Sequence, residues 1–487
     1  MNSAARAHPV PRLRQTFVFG FAFAMIAASP LLAQEKPVEA SASVAQPGPE
    51  GAPLLFPAPS PLESARALLD DDKFEEALAA ARSLVEREPE SADARILIAD
   101  ALYRRGDFEE SEAAYRKAVE IDPNAAGAHF GVGRILRTQG KYGEAAGFFH
   151  KAAALAPENP KYIRTLANHL ARREDVISLL TKYLEMPAAE DEGIRKNTAA
   201  WIELLKFLGD EPLREIVRSE PTDVALNILS GQAYLSLDVN KKKAQRFAFD
   251  TGATGMTISP RLAKSAKVKR IQPFSITGMG GQGTVSGDLV LIRDLTLGGI
   301  ALRNIAATVA APKGLEEGLI GPSFFSGFMI RIELAAGLLS LEPYDKAAPA
   351  SADAMQLAFR NVGGQIVVPA SLNGVTLNAM VDTGAQSSLA SFSSTSRIEG
   401  HELLNPAMGQ ARSFGLAGPM TRKTIRTGTL TFAGRDFKAD GMPSVDLARF
   451  SRAVESEIYL VIGFPELSAF RVGIDYRTNT LELISQP

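Results

Sequence analysis

Apolar residues are spaced along this chain in three successive rhythms. An unbroken apolar run extends from about Phe17 to Leu32. From about Pro61 the apolar positions recur every three or four residues, which places them on one face of a helix. From about Thr222 they alternate with polar residues between glycine turns, and β-branched residues become common, which predicts strands. Residues 34–60 carry Pro, Ala, Glu and Gly with too little apolar surface to offset the entropy of ordering, and read as a disordered linker.

The helical stretch, 61–217, repeats itself. Phe74, Phe108 and Tyr142 are spaced 34 residues apart, and so are Pro89, Pro123 and Pro157. A small residue follows each aromatic by three: Ala77, Ser111 and Ala145. The small residue lets paired helices approach, the aromatic fills the gap, and the proline ends the second helix because it cannot continue the hydrogen-bond ladder. Period and proline together resemble a tetratricopeptide array over roughly 62–157. Residues 159–217 drift from the pattern and read as one or two degenerate units plus a cap, with the single tryptophan, Trp201, as packing. Such arrays expose a concave face, so a protein partner there is one expectation and a plain spacer is the other.

The β-rich part reads as one domain written twice, over 222–345 and 354–487. Gly231-Gln232 and Gly364-Gln365 each open a hairpin, which ends at Asp250 in one half and Asp382 in the other. The second hairpin turns at Asn373-Gly374, the first at the longer Val239-Asn240-Lys241-Lys242. Glycine-rich segments follow each: 277–283, with Gly278, Met279, Gly280 and Gly281, and 414–418, with Phe414 and Gly415. Then come the matched pieces Leu319-Ile320-Gly321 and Val461-Ile462-Gly463.

The candidate chemistry lies at Asp250-Thr251-Gly252-Ala253 and Asp382-Thr383-Gly384-Ala385, 132 positions apart. One Asp-Thr-Gly is usually a turn leaving a strand. Two copies in matching surroundings point to a carboxylate pair that activates a single water. Two carboxylates a few ångströms apart share a proton and titrate together. Each half resembles a retropepsin-type aspartic protease domain, over about 225–485. The resemblance implies an all-β bilobal fold of two retropepsin-like lobes behind the all-α repeat array. It implies Asp250 and Asp382 as the catalytic pair, with Thr251 and Thr383 bonded across to the opposite loop. Gly252 and Gly384 would let the loops turn and aim N–H groups at the carboxylates. The glycine-rich segments would be flaps over the substrate, and the two halves a fused pseudo-dimer. Ala253 and Ala385 stand where a pepsin-like loop has a hydroxyl donor, so a working pH above the strongly acidic range is expected. Thr254 and Gln386 differ between the copies, which predicts a lopsided site.

Composition narrows the alternatives. There is no cysteine, so thiol nucleophiles and thiolate metal sites are excluded. A net charge of −2 gives no general attraction to nucleic acid. The five histidines show no metal-ligand spacing, and neither cofactor nor metal is expected. Arg6, Arg12 and Arg14 precede the apolar run, with Ala33 before Gln34, the pattern of a secretory signal over 1–33. That predicts export to a periplasm or the medium, with no membrane span once the signal is cleaved; an uncleaved N-terminal anchor is the alternative. The expected activity is hydrolysis of extended peptides or unfolded proteins, with the repeats recruiting substrate. The alternatives are a non-catalytic peptide-binding protein of the same fold, and an active unit built from two chains.

Overall fold

A computed structural model describes residues 59–487 apart from 188–190, 279–283, 311–316, 399–402, 405–411, 416–417, 426–427, 440 and 487. The proposed signal, most of the proposed linker, Met279, Gly280, Gly281 and His401 lie outside the described residues.

Helices come first, in antiparallel pairs: α1 (Pro61–Asp70) with α2 (Phe74–Arg87), α3 (Ala92–Arg105) with α4 (Phe108–Ile121), α5 (Ala126–Thr138) with α6 (Tyr142–Leu155), and α7 (Pro160–Ala167) with α8 (Arg173–Glu185). A longer helix, α9 (Glu192–Leu208), follows. The second helix of each of the first three pairs stops two residues short of its proline. Ala77, Ser111 and Ala145 are fully buried at the helix contacts, and Ser111 Oγ donates to Ala99 O at 2.7 Å. Phe108 stands edge-on to Tyr103 across the turn between α3 and α4, at 5.4 Å between ring centres.

The helical array ends at Leu208, earlier than the sequence pattern indicates. Glu215–Ser219, which falls inside the 61–217 helical stretch, is a strand paired with Ile300–Arg303. Ile216 and Val217 on this strand are exposed, so they form no buried helical face. Gly209 and Pro212 break the helix, and the β-branched pair that follows joins the edge of a sheet.

Beyond α9 the chain is β-rich. Among the described residues, a nine-stranded sheet belongs to the first half and an eleven-stranded sheet to the second. A third sheet of six strands joins them: Phe328–Glu333 of the first half pairs antiparallel with Phe470–Asp475 of the second, with Ile330 opposite Ile474. Arg331, nearly buried in that sheet, pairs with Glu342 and Glu482. One apolar core runs through both halves. It includes Phe247, Phe249, Phe325 and Phe328 from the first and Phe432, Phe470 and Ile474 from the second, each side chain contributing about 2–3 kcal/mol.

The two hairpins that lead to the aspartates turn alike. Asn240 has φ 51° and leaves two residues between the paired Val239 and Lys242, so this turn is as short as Asn373-Gly374. Asparagine tolerates the left-handed conformation that such turns need, so Asn240-Lys241 is the whole turn and Lys242 already belongs to the next strand.

The array is not a free arm. Tyr103, Phe108, Tyr115 and Phe149 share one apolar cluster with Met380, Phe450, Val454 and Val461 of the second half. α9 instead packs on the first half, where Ala200, Leu204 and Leu208 meet Phe274, Ile276, Leu289 and Leu291, with Trp201 partly buried beside them.

Candidate active site

Each aspartate leaves a buried strand at the same point of the same small device. The strand Lys242–Phe249 runs parallel to Gly318–Ile320, which also pairs antiparallel with Met256–Ile258. Asp250 N–H then donates to Ile320 O at 3.1 Å. In the second half Val375–Val381 runs parallel to Leu460–Ile462, which pairs with Leu389–Ser391, and Asp382 N–H donates to Ile462 O at 3.0 Å. Phe249 and Val381, directly before the aspartates, are buried, so the apolar strand ends anchor both loops.

The loops are bonded to each other. Thr251 N–H donates to Thr383 Oγ1 at 3.0 Å, and Thr383 N–H donates to Thr251 Oγ1 at 2.8 Å. Each hydroxyl passes its own proton to the opposite strand end: Thr251 to Val381 O at 2.8 Å, and Thr383 to Phe249 O at 3.2 Å. Both threonines are almost fully buried. Four bonds thus lock two loops that lie 132 residues apart in the chain.

The carboxylates meet over this lock. Gly252 N–H donates to Asp250 Oδ1 at 2.8 Å, and Gly384 N–H to Asp382 Oδ1 at 2.8 Å. Asp382 also accepts from Ala385 N–H at 3.2 Å. A Cβ at Gly252 would stand 2.7 Å from the Asp382 carboxyl carbon, and one at Gly384 2.6 Å from that of Asp250. Neither glycine has a left-handed φ. The opposite carboxylate, rather than the turn, is what excludes a side chain there.

Electrostatics follows from this crowding. Asp382 is only 3% exposed, and Asp250 somewhat more open. Burial, the facing Asp382 charge and a hydrogen bond between the two carboxyls push Asp250 well above the ordinary carboxylate pKa. Burial also raises Asp382, but the bond from Asp250 and backbone N–H groups hold it back. The pair therefore keeps one proton into a pH range where isolated carboxylates have lost theirs.

Residues 235–324, which include Asp250, match the aspartyl protease family. Residues 62–126 and 122–160 match the tetratricopeptide repeat. The chain carries tetratricopeptide repeats followed by an aspartyl protease domain. No match was found among curated proteins. Asp382 lies outside the matched protease segment, although its loop repeats the backbone bonding around Asp250.

Around the two aspartates the two halves differ. Lys269–Thr277 and Thr284–Leu297 form a long hairpin in the first half, and Gly278 follows directly on its first strand. In the second half Phe414 and Gly415 end the short strand Arg412–Gly415, which pairs with Gly418–Ile425. Thr254 is half-buried and Gln386 exposed; Gln386 approaches Gly231 from the other half. Among the described residues no group of three or more His, Asp or Glu could hold a metal ion. His129 and His169 bond backbone carbonyls inside the array, and burial lowers His169 to about 4. Glu333 and Asp475 are paired with Arg471 and Arg477.

The sequence pattern passed over several polar residues between array and protease domain. Asn197, Asn378, Asn479 and Glu455 each bridge the two. Their partners are distant in the chain, and a single Asn or Glu carries no spacing signal.

Proposed function

We propose that this protein is an exported aspartic endopeptidase that cleaves extended peptides or unfolded protein segments. In this reading Asp382 is the base and Asp250 the acid. Asp382 takes a proton from a water molecule as that water attacks the peptide carbonyl carbon. Asp250 donates a hydrogen bond to the carbonyl oxygen, and a proton reaches the leaving nitrogen as the C–N bond breaks. One peptide and one water give one carboxylic acid and one amine. The observation that carries the reading is geometric: two buried carboxylates on equivalent, mutually bonded loops, each crowded against the other's glycine, an arrangement in which burial raises both.

Both catalytic halves come from one chain in this reading, a pseudo-dimer supported by the pairing of Phe328–Glu333 with Phe470–Asp475. Substrate lies in the cleft between the halves, under the hairpin that ends at Gly278 and its counterpart at Phe414 and Gly415. Export rests on the charged-then-apolar pattern of residues 1–33. The repeats offer a surface for a protein partner or substrate.

The test is to incubate the purified chain with a denatured protein and identify the products by mass spectrometry. The reading expects new internal termini, suppressed by a peptide carrying a statine in place of the scissile bond. Tight binding of the statine peptide and of the denatured protein, with no cleavage at any pH, would make the chain a peptide-binding protein instead.

A further inference from the structure

The helical array meets the protease domain in two places, and each leads to one part of the cleft. The first lies behind Asp382. The turn after α3 brings Gly106 against Asn378, whose Nδ2 donates to Gly106 O at 3.0 Å. Gly106 has φ 89°, a conformation other residues rarely adopt, and a Cβ there would collide with that amide nitrogen. Asn378 sits on Val375–Val381, the strand that delivers Asp382. Its own carbonyl accepts from Tyr459 N–H at 3.1 Å, next to the paired strand Leu460–Ile462. Glu457 N–H donates to Arg104 O at 2.7 Å, and Tyr459 Oη to Arg105 O at 3.3 Å. Met380 and Val461, one from each strand, are buried in the same cluster as Tyr103, Phe108 and Tyr115 of the array. The layer behind Asp382 is therefore made of repeat helices.

The second place is α9. Asn197 is 5% exposed and bonds both backbone groups of Ser275: Nδ2 donates to Ser275 O at 2.9 Å, and Ser275 N–H donates to Oδ1 at 2.7 Å. Ser275 lies on Lys269–Thr277, the outermost strand of its sheet. An edge strand exposes a row of unpaired backbone groups. The Asn197 amide supplies there what a neighbouring strand would, two residues before the end of the hairpin strand.

We propose that the array is a positioning element for the cleft, with Asn378 and Asn197 as positioning residues that act through the Asp382 strand and the first-half hairpin. This rests on the peptidase reading above. Loosening the strand behind Asp382 misplaces a reacting group, and a small misplacement raises the barrier. Loosening the hairpin weakens the grip on substrate without touching the carboxylates. The two contacts thus have separate kinetic signatures.

The experiment compares full-length wild type with Asn378→Ala, Asn197→Ala and the milder Asn197→Asp, which keeps an acceptor for Ser275 N–H. Active sites are counted with the statine peptide. Asn378→Ala should lower kcat per active site roughly ten- to a hundredfold and move the alkaline limb of its pH profile, with KM little changed. Asn197→Ala should raise KM about tenfold with kcat near wild type, and Asn197→Asp should fall between. Hydrogen exchange should rise in 375–381 for the first variant and in 269–277 for the second. Wild-type kcat, KM and exchange in both alanine variants would overturn the proposal. So would activity lost only in proportion to active sites lost, since the contacts would then serve folding alone. A wild type that cleaves nothing removes the peptidase reading and this proposal with it, before any variant is compared.

Discussion

Thr251 and Thr383 exchange hydrogen bonds, each giving its N–H to the other's hydroxyl, at 3.0 and 2.8 Å. Each hydroxyl then donates to the carbonyl just before the opposite aspartate. The lock is symmetric, buried and made of neutral groups, so it holds at any pH. It also fixes where the carboxylates stand, because only one residue separates each bonded carbonyl from its threonine.

Replacing either threonine by valine keeps the shape but removes one hydroxyl. One N–H and one C=O are then left buried without partners. We expect a loss of roughly 2–4 kcal/mol in stability for Thr251→Val or Thr383→Val. Thr→Ser at the same positions should restore most of it. Urea denaturation of the four variants against wild type checks this.

In the proposed mechanism the shared proton sets the pH dependence of activity. Above the upper pKa of the pair both carboxylates are ionised and none can donate to the carbonyl. Below the lower pKa both are protonated and none can accept from water. The rate should therefore be bell-shaped in pH. Both groups are raised by burial, so the alkaline limb lies above the ordinary carboxylate range. Ala253 and Ala385 add no hydroxyl donor to stabilise the anions. A maximum below the ordinary carboxylate pKa of about 4 would contradict this.

The same shift has a stability sign. A carboxylate with a raised folded-state pKa contributes stability that is complete below its unfolded pKa and is lost as pH rises through the folded one. Asp250→Asn removes a group whose ionised form the folded site disfavours. Its denaturation midpoint should exceed that of wild type at pH 7, and the gap should close in acid.

Glu455 behaves in the opposite way. Burial alone would raise it, but Lys161 at 2.7 Å and Arg134 at 3.3 Å outweigh burial and hold it well below the ordinary value. Arg134 lies under Tyr103 and also faces Asp100. Stability from Glu455 is present above its unfolded pKa and lost as pH falls through its folded pKa. Glu455→Gln should cost about 2–3 kcal/mol at neutral pH, less than a fully buried pair because Glu455 keeps some solvent contact, and almost nothing in strong acid. Thermal melts across pH read this directly.

Much of the architecture lay open in the sequence because it is periodic or duplicated. A 34-residue repeat of aromatic, small residue and proline is a packing requirement written out three times. Two Asp-Thr-Gly loops, each ahead of a paired-apolar-then-glycine element, carry their own internal comparison. What could not be read is the docking of one part on another. Asn378 and Gly106 are 272 positions apart, and Asn197 and Ser275 are 78 apart. Neither pair repeats, and neither residue type is unusual for a loop or a helix face. The end of the array is hidden from the sequence for a related reason. Glu215–Ser219 has two apolar residues that suit a helix as well as a strand, and only its pairing with Ile300–Arg303 decides. The reason for Gly252 and Gly384 was also hidden, since the atom each avoids belongs to the other loop.

In the proposed mechanism one proton held between Asp250 and Asp382 drives peptide hydrolysis. Single-turnover cleavage of a denatured protein by Asp250→Asn, by Asp382→Asn and by the double variant tests it most directly. Each single change should lower the rate by about 10²–10⁴-fold or more, with the fold retained, and the double variant should be scarcely slower than either. Turnover within about tenfold of wild type in either single variant would contradict it.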